Sequence, residues 1–283
     1  EEYWTLTSDF TNKDNKNISS KLSLYSGKKI ERFTFKNNNE IKEAINIINK
    51  SKFTIKDVNT KLFKRNPLAP FTTSTLQQTA SGKFGFGASR TMQIAQRLYQ
   101  GIEIEGETIG LITYMRTDGT NISNEAVKDF RSFIEKDIGK NYLPESPNNF
   151  KGKKAKNAQE AHEAIRPTDI IRTPQSVKKY LSPDQNKLYD LIWSRALSSQ
   201  MEAAKFDRNT ITISSDNNDT ICKTSGSVLK FDGFLKIYKN PSKDDDESIL
   251  PAMSKGLINI ESLVDEQHFT QPPPRYSEAS LVK

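Results

Sequence analysis

Alternating apolar and polar residues predict short β-strands near both ends of the chain. The alternation is clearest at residues 21–26, where Leu22 and Leu24 share one face and Lys21 and Ser23 share the other, a pattern typical of a half-buried strand. The predicted strands of the first part cover residues 3–7, 18–35 and 53–63. The predicted strands of the last part cover residues 210–213, 220–224, 226–231, 233–238 and 256–264.

The pattern between these strands is helical. Apolar residues recur there every three or four positions, behind residues that can cap a helix. The strongest start is Ser182-Pro183-Asp184-Gln185, which combines a cap, proline at the first helical position and glutamine at the third. The other predicted starts are Asn39, Thr73-Ser74, Ser89 and Ser123, with apolar stripes that include Ile41 and Ile48, Leu76 and Ala80, Leu98 and Tyr99, and Phe130 and Ile138.

This order of elements predicts an α+β multidomain chain. Strands from both ends need partners, and the economical solution is one β-rich domain built from both ends with a mostly helical domain inserted. Pro67 and Pro70 mark the point where the chain is expected to pass from the β-rich domain into the helical domain. If this connection and the returning one lie side by side, the inserted domain could swing as a unit. The predicted segments are 1–71 and 202–270 for the β-rich gate or hinge domain, 72–201 for the helical domain, and 271–283 for the start of a further, truncated domain.

Residues 111–123 carry the candidate chemistry. Leu111 and Ile112 begin a short extended run, in which side chains two apart point to the same side. Tyr114 and Arg116 would then share a face. A nearby cation favours the phenolate of a tyrosine, and a guanidinium can also grip a phosphate. The pattern suits a tyrosine that attacks a phosphodiester, although the spacing alone is equally typical of a packed tyrosine beside a surface arginine.

Composition changes the picture only slightly. The 283 residues include 34% hydrophobic and 27% charged residues, and the net charge of +7 fits a polyanionic partner without proving one. A single cysteine excludes an internal disulfide and suits a reducing cytoplasm, where we expect the protein to act. No apolar run approaches the roughly 18 residues needed to span a bilayer, so no membrane partner is expected. The ends of the chain are those expected of a fragment.

Several sequence blocks together resemble bacterial type IA DNA topoisomerases. The segment T-Y-M-R-T-D-G-T-N-I-S at residues 113–123 is similar to the active-site segment of that family, except that Gly119 stands where the family usually has serine. That glycine loosens the turn. The other matching blocks, in the family's order, are P-F-T-T-S-T-L-Q-Q at 70–78, T-M-Q-I-A-Q-R-L-Y-Q-G at 91–101, A-Q-E-A-H-E-A-I-R-P-T at 158–168, L-Y-D-L-I-W at 188–193, L-K-F-D-G-F at 229–234 and H-F-T-Q-P-P-P-R-Y-S-E-A-S-L-V-K at 268–283.

The resemblance implies roles for three residues. Tyr114 would be the nucleophile that becomes linked to a 5′-phosphate, and Arg116 would clamp the phosphate. His162 would contact the DNA phosphate. Asp118 is expected, from its position in the segment alone, to support the loop. His162 is not a zinc ligand of the H-E-x-x-H type, because Arg166 stands where the second histidine would be. We expect Arg166 to anchor its loop through ion pairs.

The resemblance also implies partners. Members of the family cut one DNA strand, pass another through the gate and reseal the cut, which relaxes negative supercoils without ATP. The expected partners are therefore single-stranded DNA and negatively supercoiled DNA. The family also uses Mg²⁺ bound by an acidic Toprim domain of the same protein, and no D-x-D after a hydrophobic strand is present here to hold it. We expect no metal bound by this chain, and little or no cleavage by this chain alone.

Three alternatives remain open from the sequence. The chain could be a noncatalytic module in which Tyr114 stacks on a base, or a structural or protein-interaction domain. It could also be a fragment of a topoisomerase III or a reverse gyrase. Three further segments stand out in composition. The aromatic residues of 83–87 are expected to fill a core rather than to stack on bases. The lysine-rich loop at 151–156 could contact DNA backbone without specificity, and the acidic segment 244–247 is expected to be a solvated loop.

Overall fold

The structure is a computed structural model that describes residues 1–150, 163–239 and 250–281. These residues form two compact units. The first, called the sheet unit, contains the described residues of Glu1–Phe63, Lys205–Lys230 and Pro241–Pro273. The second, called the helical unit, contains the described residues of Lys64–Ala204, Phe231–Asn240 and Pro274–Lys283.

The sheet unit is a large antiparallel sheet with strands from both ends of the chain. Its strands are β1 (Glu2–Asn12), β2 (Asn17–Tyr25), β3 (Lys28–Lys29), β4 (Phe53–Arg65), β7 (Ala204–Ser215), β8 (Ile221–Phe231) and β9 (Gly256–Phe269). The strand order is β1-β9-β4-β7-β8-β2-β3, and β2 also pairs with β1, so the first and sixth strands of this order are neighbours too. This additional pairing leaves few open strand edges.

The pairing of β1 with β9 joins the first and last strands of the chain. Their register runs from Glu2 opposite Phe269 to Asn12 opposite Ile258, with one irregularity beside Asp9 and Phe10. Helix α1 (Asn38–Ile48) covers the sheet with one apolar face, and Ile41 and Ile48 are fully buried there. The large antiparallel sheet confirms the coarse prediction of a mixed α and β fold.

The helical unit contains five further helices, a hairpin and a terminal turn of helix. Nearly the whole circumference of α6 is buried, as expected of a helix at the centre of a core. The elements are α2 (Thr73–Phe84), α3 (Ala88–Gln100), β5 (Ile102–Ile104), β6 (Glu107–Ile109), α4 (Asn124–Phe133), α5 (Pro174–Val177), α6 (Pro183–Ser199) and α7 (Glu278–Leu281). A π-helical turn, Ile134–Ile138, extends α4.

Local sequence chemistry explains where several helices begin. Ser182 and Gln185 form the predicted capping box of α6, and Ser123 caps α4 by accepting a hydrogen bond from the Ala126 N–H. Two predicted starts were misplaced. Thr72 rather than Thr73 caps α2, and Asn37 rather than Asn39 caps α1, because in each case that side chain reaches the N–H three residues later.

Other boundaries also differ from the sequence prediction. Residues 18–35 form β2 and the short β3 rather than a longer strand region, and 220–231 holds the single strand β8. Ser89 does not cap α3. The helix begins at Ala88 behind Gly87, which makes no side-chain cap, and the carboxylate of Glu278 accepts the Ala88 N–H at 3.2 Å instead.

The predicted strand at 233–238 was wrong. Gly233–Lys236 is a 3₁₀ turn in the helical unit, with Gly233 at a φ of +50°. A side chain at Gly233 would lie 2.5 Å from the carbonyl oxygen of Glu202, so the close backbone contact requires glycine. Phe234 is buried, and its N–H donates to the same carbonyl. The alternating pattern here reflects two buried rings, Phe234 and Tyr238, which lie in and just after a turn.

Truncating the buried ring of Phe10 should destabilise the sheet unit. Phe10 is fully buried and meets Phe53 edge-on, with ring centroids 5.3 Å apart. Phe10→Ala should lower the free energy of unfolding by about 3–5 kcal/mol. Urea unfolding monitored by circular dichroism measures this. The control Leu257→Ala removes an exposed side chain from β9 and should change the free energy by less than about 0.5 kcal/mol. Equal effects of the two substitutions would contradict the core assignment.

Candidate active site

The candidate segment alternates between buried and exposed side chains without forming a strand. Ile112 makes only an isolated bridge to Pro167, so the extended run is shorter than predicted. Met115 is fully buried, while Tyr114 is 50% exposed. The alternation leaves three polar side chains exposed. These exposed residues are Tyr114, Arg116 and Asp118.

The hydroxyl of Thr113 anchors the segment on the side that precedes Tyr114. It donates to the Ala164 carbonyl at 2.8 Å and accepts the Arg166 N–H at 3.0 Å. The Thr113 N–H also donates to the Arg166 carbonyl at 2.9 Å. The backbone next to Tyr114 is therefore fixed to residues 163–168, which belong to another of the sequence blocks singled out above.

Thr73, the first residue of α2, anchors the segment on its other side. Its hydroxyl donates to the Met115 carbonyl at 2.7 Å and accepts the Thr117 N–H at 2.8 Å. Its own N–H donates to the Thr117 carbonyl at 2.9 Å. These bonds bracket Arg116, whose backbone neighbours on both sides are held while its side chain stays exposed. Sequence reasoning assigned Thr73 only to a helix start and missed this contact.

A buried cation supports the segment that leads into α2. The Arg195 guanidinium donates to the Ala69 carbonyl at 2.6 Å and to the Tyr238 hydroxyl at 3.1 Å. It also lies 4.8 Å from the ring centre of Phe71, a favourable cation–π distance. Burial lowers the pKa of Arg195 from its ordinary value. Arg195, on α6, thus fixes residues 69–71 through one hydrogen bond and one cation–π contact.

An ion pair organises the loop after His162. Arg166 donates to the Glu163 carboxylate at 2.7 Å, which confirms the prediction that Arg166 anchors its loop through an ion pair. The same carboxylate accepts the Ser123 N–H at 2.8 Å, just before α4. Burial alone would raise the pKa of Glu163, but the hydrogen bonds from Arg166 and Ser123 outweigh it and hold that pKa below its usual value.

Tyr99 is a neighbour of Tyr114 that the sequence prediction placed in an apolar stripe. The two rings meet edge-on with centroids 5.3 Å apart, and Tyr99 is 40% exposed. Tyr99 is the penultimate residue of α3, and the β5–β6 hairpin returns the chain to Gly110. A side chain at Gly110 would lie 2.7 Å from the Tyr99 carbonyl oxygen. That close approach places the two tyrosines together, and spacing along the chain gave no sign of it.

The structure describes some of the remaining candidate residues and leaves others out. Among the described residues, the Tyr114 hydroxyl has no hydrogen-bond partner, and Arg116 and Asp118 form no ion pair. Gly119 donates its N–H to the Thr117 hydroxyl at 2.9 Å, so that turn is held without a serine. His162, the lysine-rich loop 151–156 and the acidic segment 244–247 lie outside the described residues. Phe86, by contrast, is buried, as the core interpretation of 83–87 predicted.

The ranges that the structure describes contain no group of three or more His, Cys, Asp or Glu side chains placed to hold a metal ion. No helix in the same ranges has the length and apolar character needed to span a bilayer.

Comparison with known proteins gives a consistent family. A model of the DNA topoisomerase family matches residues 1–283. The chain is 45% identical to DNA topoisomerase 1 of Rickettsia felis and 42% identical to that of Haemophilus influenzae, over its whole length in both cases. It spans only 37% and 31% of those relatives. The fold is similar to full-length topoisomerase I from Thermotoga maritima, with a TM-score of 0.74 and 31% identity, over all of this chain and 43% of that one.

Removing the hydroxyl of Thr73 tests the anchor beside Arg116. Thr73→Val keeps the side-chain shape but leaves the buried Met115 carbonyl and Thr117 N–H without this partner, at a cost of about 1–3 kcal/mol. Urea unfolding should show the loss, and hydrogen exchange at the Thr117 amide should accelerate. Thr79→Val is the matched control, because that hydroxyl bonds only the Thr75 carbonyl of its own helix. Unchanged exchange at Thr117 would contradict the anchor.

The Glu163 ion pair should make stability depend on acidity. Because its pKa is lowered in the folded state, its stabilising contribution is complete above the ordinary value of 4.5 and is lost as the pH falls through the folded value. Between about pH 5 and pH 3, Glu163→Gln should lose less stability than the unmodified chain. Thermal unfolding across that range measures the difference. Glu103→Gln, at an exposed carboxylate, should follow the unmodified chain, and identical profiles for all three would refute the assignment.

Proposed function

The chain belongs to the DNA topoisomerase family, and we propose that it supplies the strand-cleaving tyrosine of a type IA enzyme, Tyr114. The observation that carries the proposal is the outward alternation of Tyr114 and Arg116 on a segment pinned by threonine hydroxyls on both sides. A nucleophile needs an accessible oxygen on a rigid backbone, since positioning supplies much of the rate in such reactions. The half-exposed Tyr114 meets both needs.

The proposed reaction exchanges one phosphodiester for another. The Tyr114 oxygen attacks a backbone phosphorus, an oxygen–phosphorus bond forms, and the bond from phosphorus to the 3′-oxygen of the preceding nucleotide breaks. The phenol loses its proton, and the departing 3′-oxygen gains one. The product carries a 5′-phosphotyrosine link, and attack by the 3′-hydroxyl reverses every step. Bond energy is conserved, so the relaxation of negative supercoils needs no ATP.

Arg116 is the proposed phosphate clamp. Arg116 lies two residues after Tyr114 and is exposed like it, so the guanidinium can hold the phosphate that the neighbouring tyrosine attacks. A planar guanidinium donates two parallel hydrogen bonds to phosphate oxygens and offsets the charge that builds up in the transition state. The absence of an ion pair at Arg116 among the described residues leaves these donors available.

Further roles complete the proposal. Asp118 would support the loop, and His162 would contact the DNA phosphate. The partners would be single-stranded DNA and negatively supercoiled DNA in the cytoplasm, together with a Toprim domain of the same longer protein. That domain would hold the Mg²⁺ that assists cleavage. The role of Asp118 comes from its position alone and the cytoplasmic location from the single cysteine. The other statements come from the family resemblance, and all of them stay predictions for this chain.

Tyr114→Phe in the longer enzyme is the direct test. It removes the nucleophilic oxygen and keeps the ring, so the covalent adduct with a labelled oligonucleotide should fall below detection on a denaturing gel. Oligonucleotide affinity should stay within about threefold, because base stacking needs only the ring. Tyr99→Phe is the matched control and should still form the adduct. Undiminished adduct with Tyr114→Phe would overturn the proposal. Loss of adduct with both variants would mean that cleavage needs the hydroxyls of both Tyr99 and Tyr114.

The chain alone should behave differently from the longer enzyme. Mixed with an oligonucleotide and Mg²⁺, the 283-residue chain should bind weakly and form little or no covalent adduct, because the partner acids are not among its described residues. The same denaturing gel measures this. Efficient adduct formation by the chain alone would show that it carries a complete catalytic site.

A further inference from the structure

The anchored backbone of the candidate segment does not by itself fix the ring of Tyr114. The hydroxyls of Thr73 and Thr113 hold main-chain atoms on both sides of it, but they do not restrict the torsions between its Cα and its ring. The side chain is half exposed, and its hydroxyl has no hydrogen-bond partner among the described residues. A nucleophile reacts fastest when its reacting atom is already in place, so a neighbour that limits the ring matters for the rate.

Tyr99 is such a neighbour. The two tyrosine rings meet edge-on, with centroids 5.3 Å apart and planes 66° apart, which is an arrangement that aromatic pairs favour. Within the part of the chain that the structure describes, no other aromatic ring contacts Tyr114. The Tyr99 ring therefore closes one side of the Tyr114 ring and blocks its rotation in that direction.

The backbone that carries Tyr99 is tied to the candidate segment. The Leu111 N–H donates to the Leu98 carbonyl at 2.8 Å. A side chain at Gly110 would lie 2.7 Å from the Tyr99 carbonyl oxygen, so the two backbones are in close contact. The Thr168 hydroxyl holds Gly110 by donating to its carbonyl at 2.7 Å. Because of these contacts, the two tyrosines keep a fixed relative position.

Stability does not require this pair of rings. The face of α3 that enters the core consists of other residues, which are Thr91, Ile94, Ala95 and Leu98. Tyr99 lies outside that face and is 40% exposed. Two rings that stay this exposed remove little apolar surface from water. The main consequence of their contact is therefore to restrict the Tyr114 ring.

We propose that Tyr99 is a positioning residue for the cleaving tyrosine. Its ring holds the Tyr114 ring in the orientation from which the phenol oxygen reaches the phosphate. The inference rests on the proposed function, since it assigns Tyr99 a part in the same reaction. The role belongs to the ring of Tyr99 and not to its hydroxyl, which forms no hydrogen bond with any described residue. Tyr99 touches no reacting atom and takes no part in proton transfer.

Single-turnover cleavage by the longer enzyme tests this role. With the enzyme in excess over a labelled oligonucleotide and with rapid quenching, Tyr99→Ala should form the covalent adduct about five- to tenfold more slowly, because one aromatic pair contributes a factor of that size. Tyr99→Phe keeps the ring and should stay within about twofold of the unmodified enzyme. Tyr99→Leu keeps an apolar side chain on α3 and repeats the test with less disturbance of the fold.

Binding separates positioning from contact with the strand. In a Tyr114→Phe background, which stops cleavage, adding Tyr99→Ala should leave the oligonucleotide affinity within about twofold, since a positioning residue changes the rate and not ground-state binding. Fluorescence anisotropy measures the affinity. Gln93→Ala is the matched control, because it shortens another exposed side chain of α3, and it should leave both rate and affinity within about twofold. Thermal unfolding of each variant checks that the fold is retained.

Three results would overturn the proposal. Tyr99→Ala and Tyr99→Leu could both cleave as fast as the Gln93→Ala control, which would leave the ring without a role. Tyr99→Phe could be as slow as Tyr99→Ala, which would give the role to the hydroxyl. Tyr99→Ala could lose affinity in proportion to its rate, which would make Tyr99 a contact with the strand. Failure of the proposed function looks different, because Tyr114→Phe would then still form the adduct.

Discussion

The hydrogen bonds of the Thr73 hydroxyl are the constraint on which the candidate site depends. Residues 113–117 belong to no strand and bend at Thr113 and Met115, and Met115 and Thr117 are buried. Buried backbone groups must find partners, and here side-chain hydroxyls supply them: Thr73 on one side and Thr113 on the other. The segment can therefore present Tyr114 and Arg116 outward while its own polar backbone stays satisfied.

In the loop that follows, one side chain again bonds to several partners. The Glu163 carboxylate pairs with Arg166 and also accepts the N–H of Ser123 at the start of α4. One charged group thus joins the segment after His162 to the helix after the candidate tyrosine. Arg195 likewise connects α6 to the segment that precedes α2, because its guanidinium donates to the Ala69 carbonyl. Groups with several donors or acceptors connect elements that are far apart in sequence, as expected where a site is built from loops.

The prediction succeeded where short-range chemistry decides the structure. Ser182 and Ser123 cap their helices because the hydroxyl reaches an N–H only three residues away. It failed at Gly233–Lys236, where alternation suggested a strand but close contact with the Glu202 carbonyl imposes a turn. It also placed Tyr99 in an apolar stripe, although the ring is partly exposed beside Tyr114. Both errors depend on neighbours that periodicity cannot register.

The sequence by itself determined the family and the mixed composition of strands and helices, and it predicted the chemistry of the Tyr114 segment, because these reside in residue types and in patterns a few residues long. Tertiary structure decided which residues surround that segment. Thr73, Thr113 and Glu163 became anchors only when the chain brought segments 40 to 51 residues apart into contact. The stacked rings of Tyr3 and His268 likewise come from opposite ends of the chain. Side-chain contacts at such separations are set by packing, which local pattern does not encode.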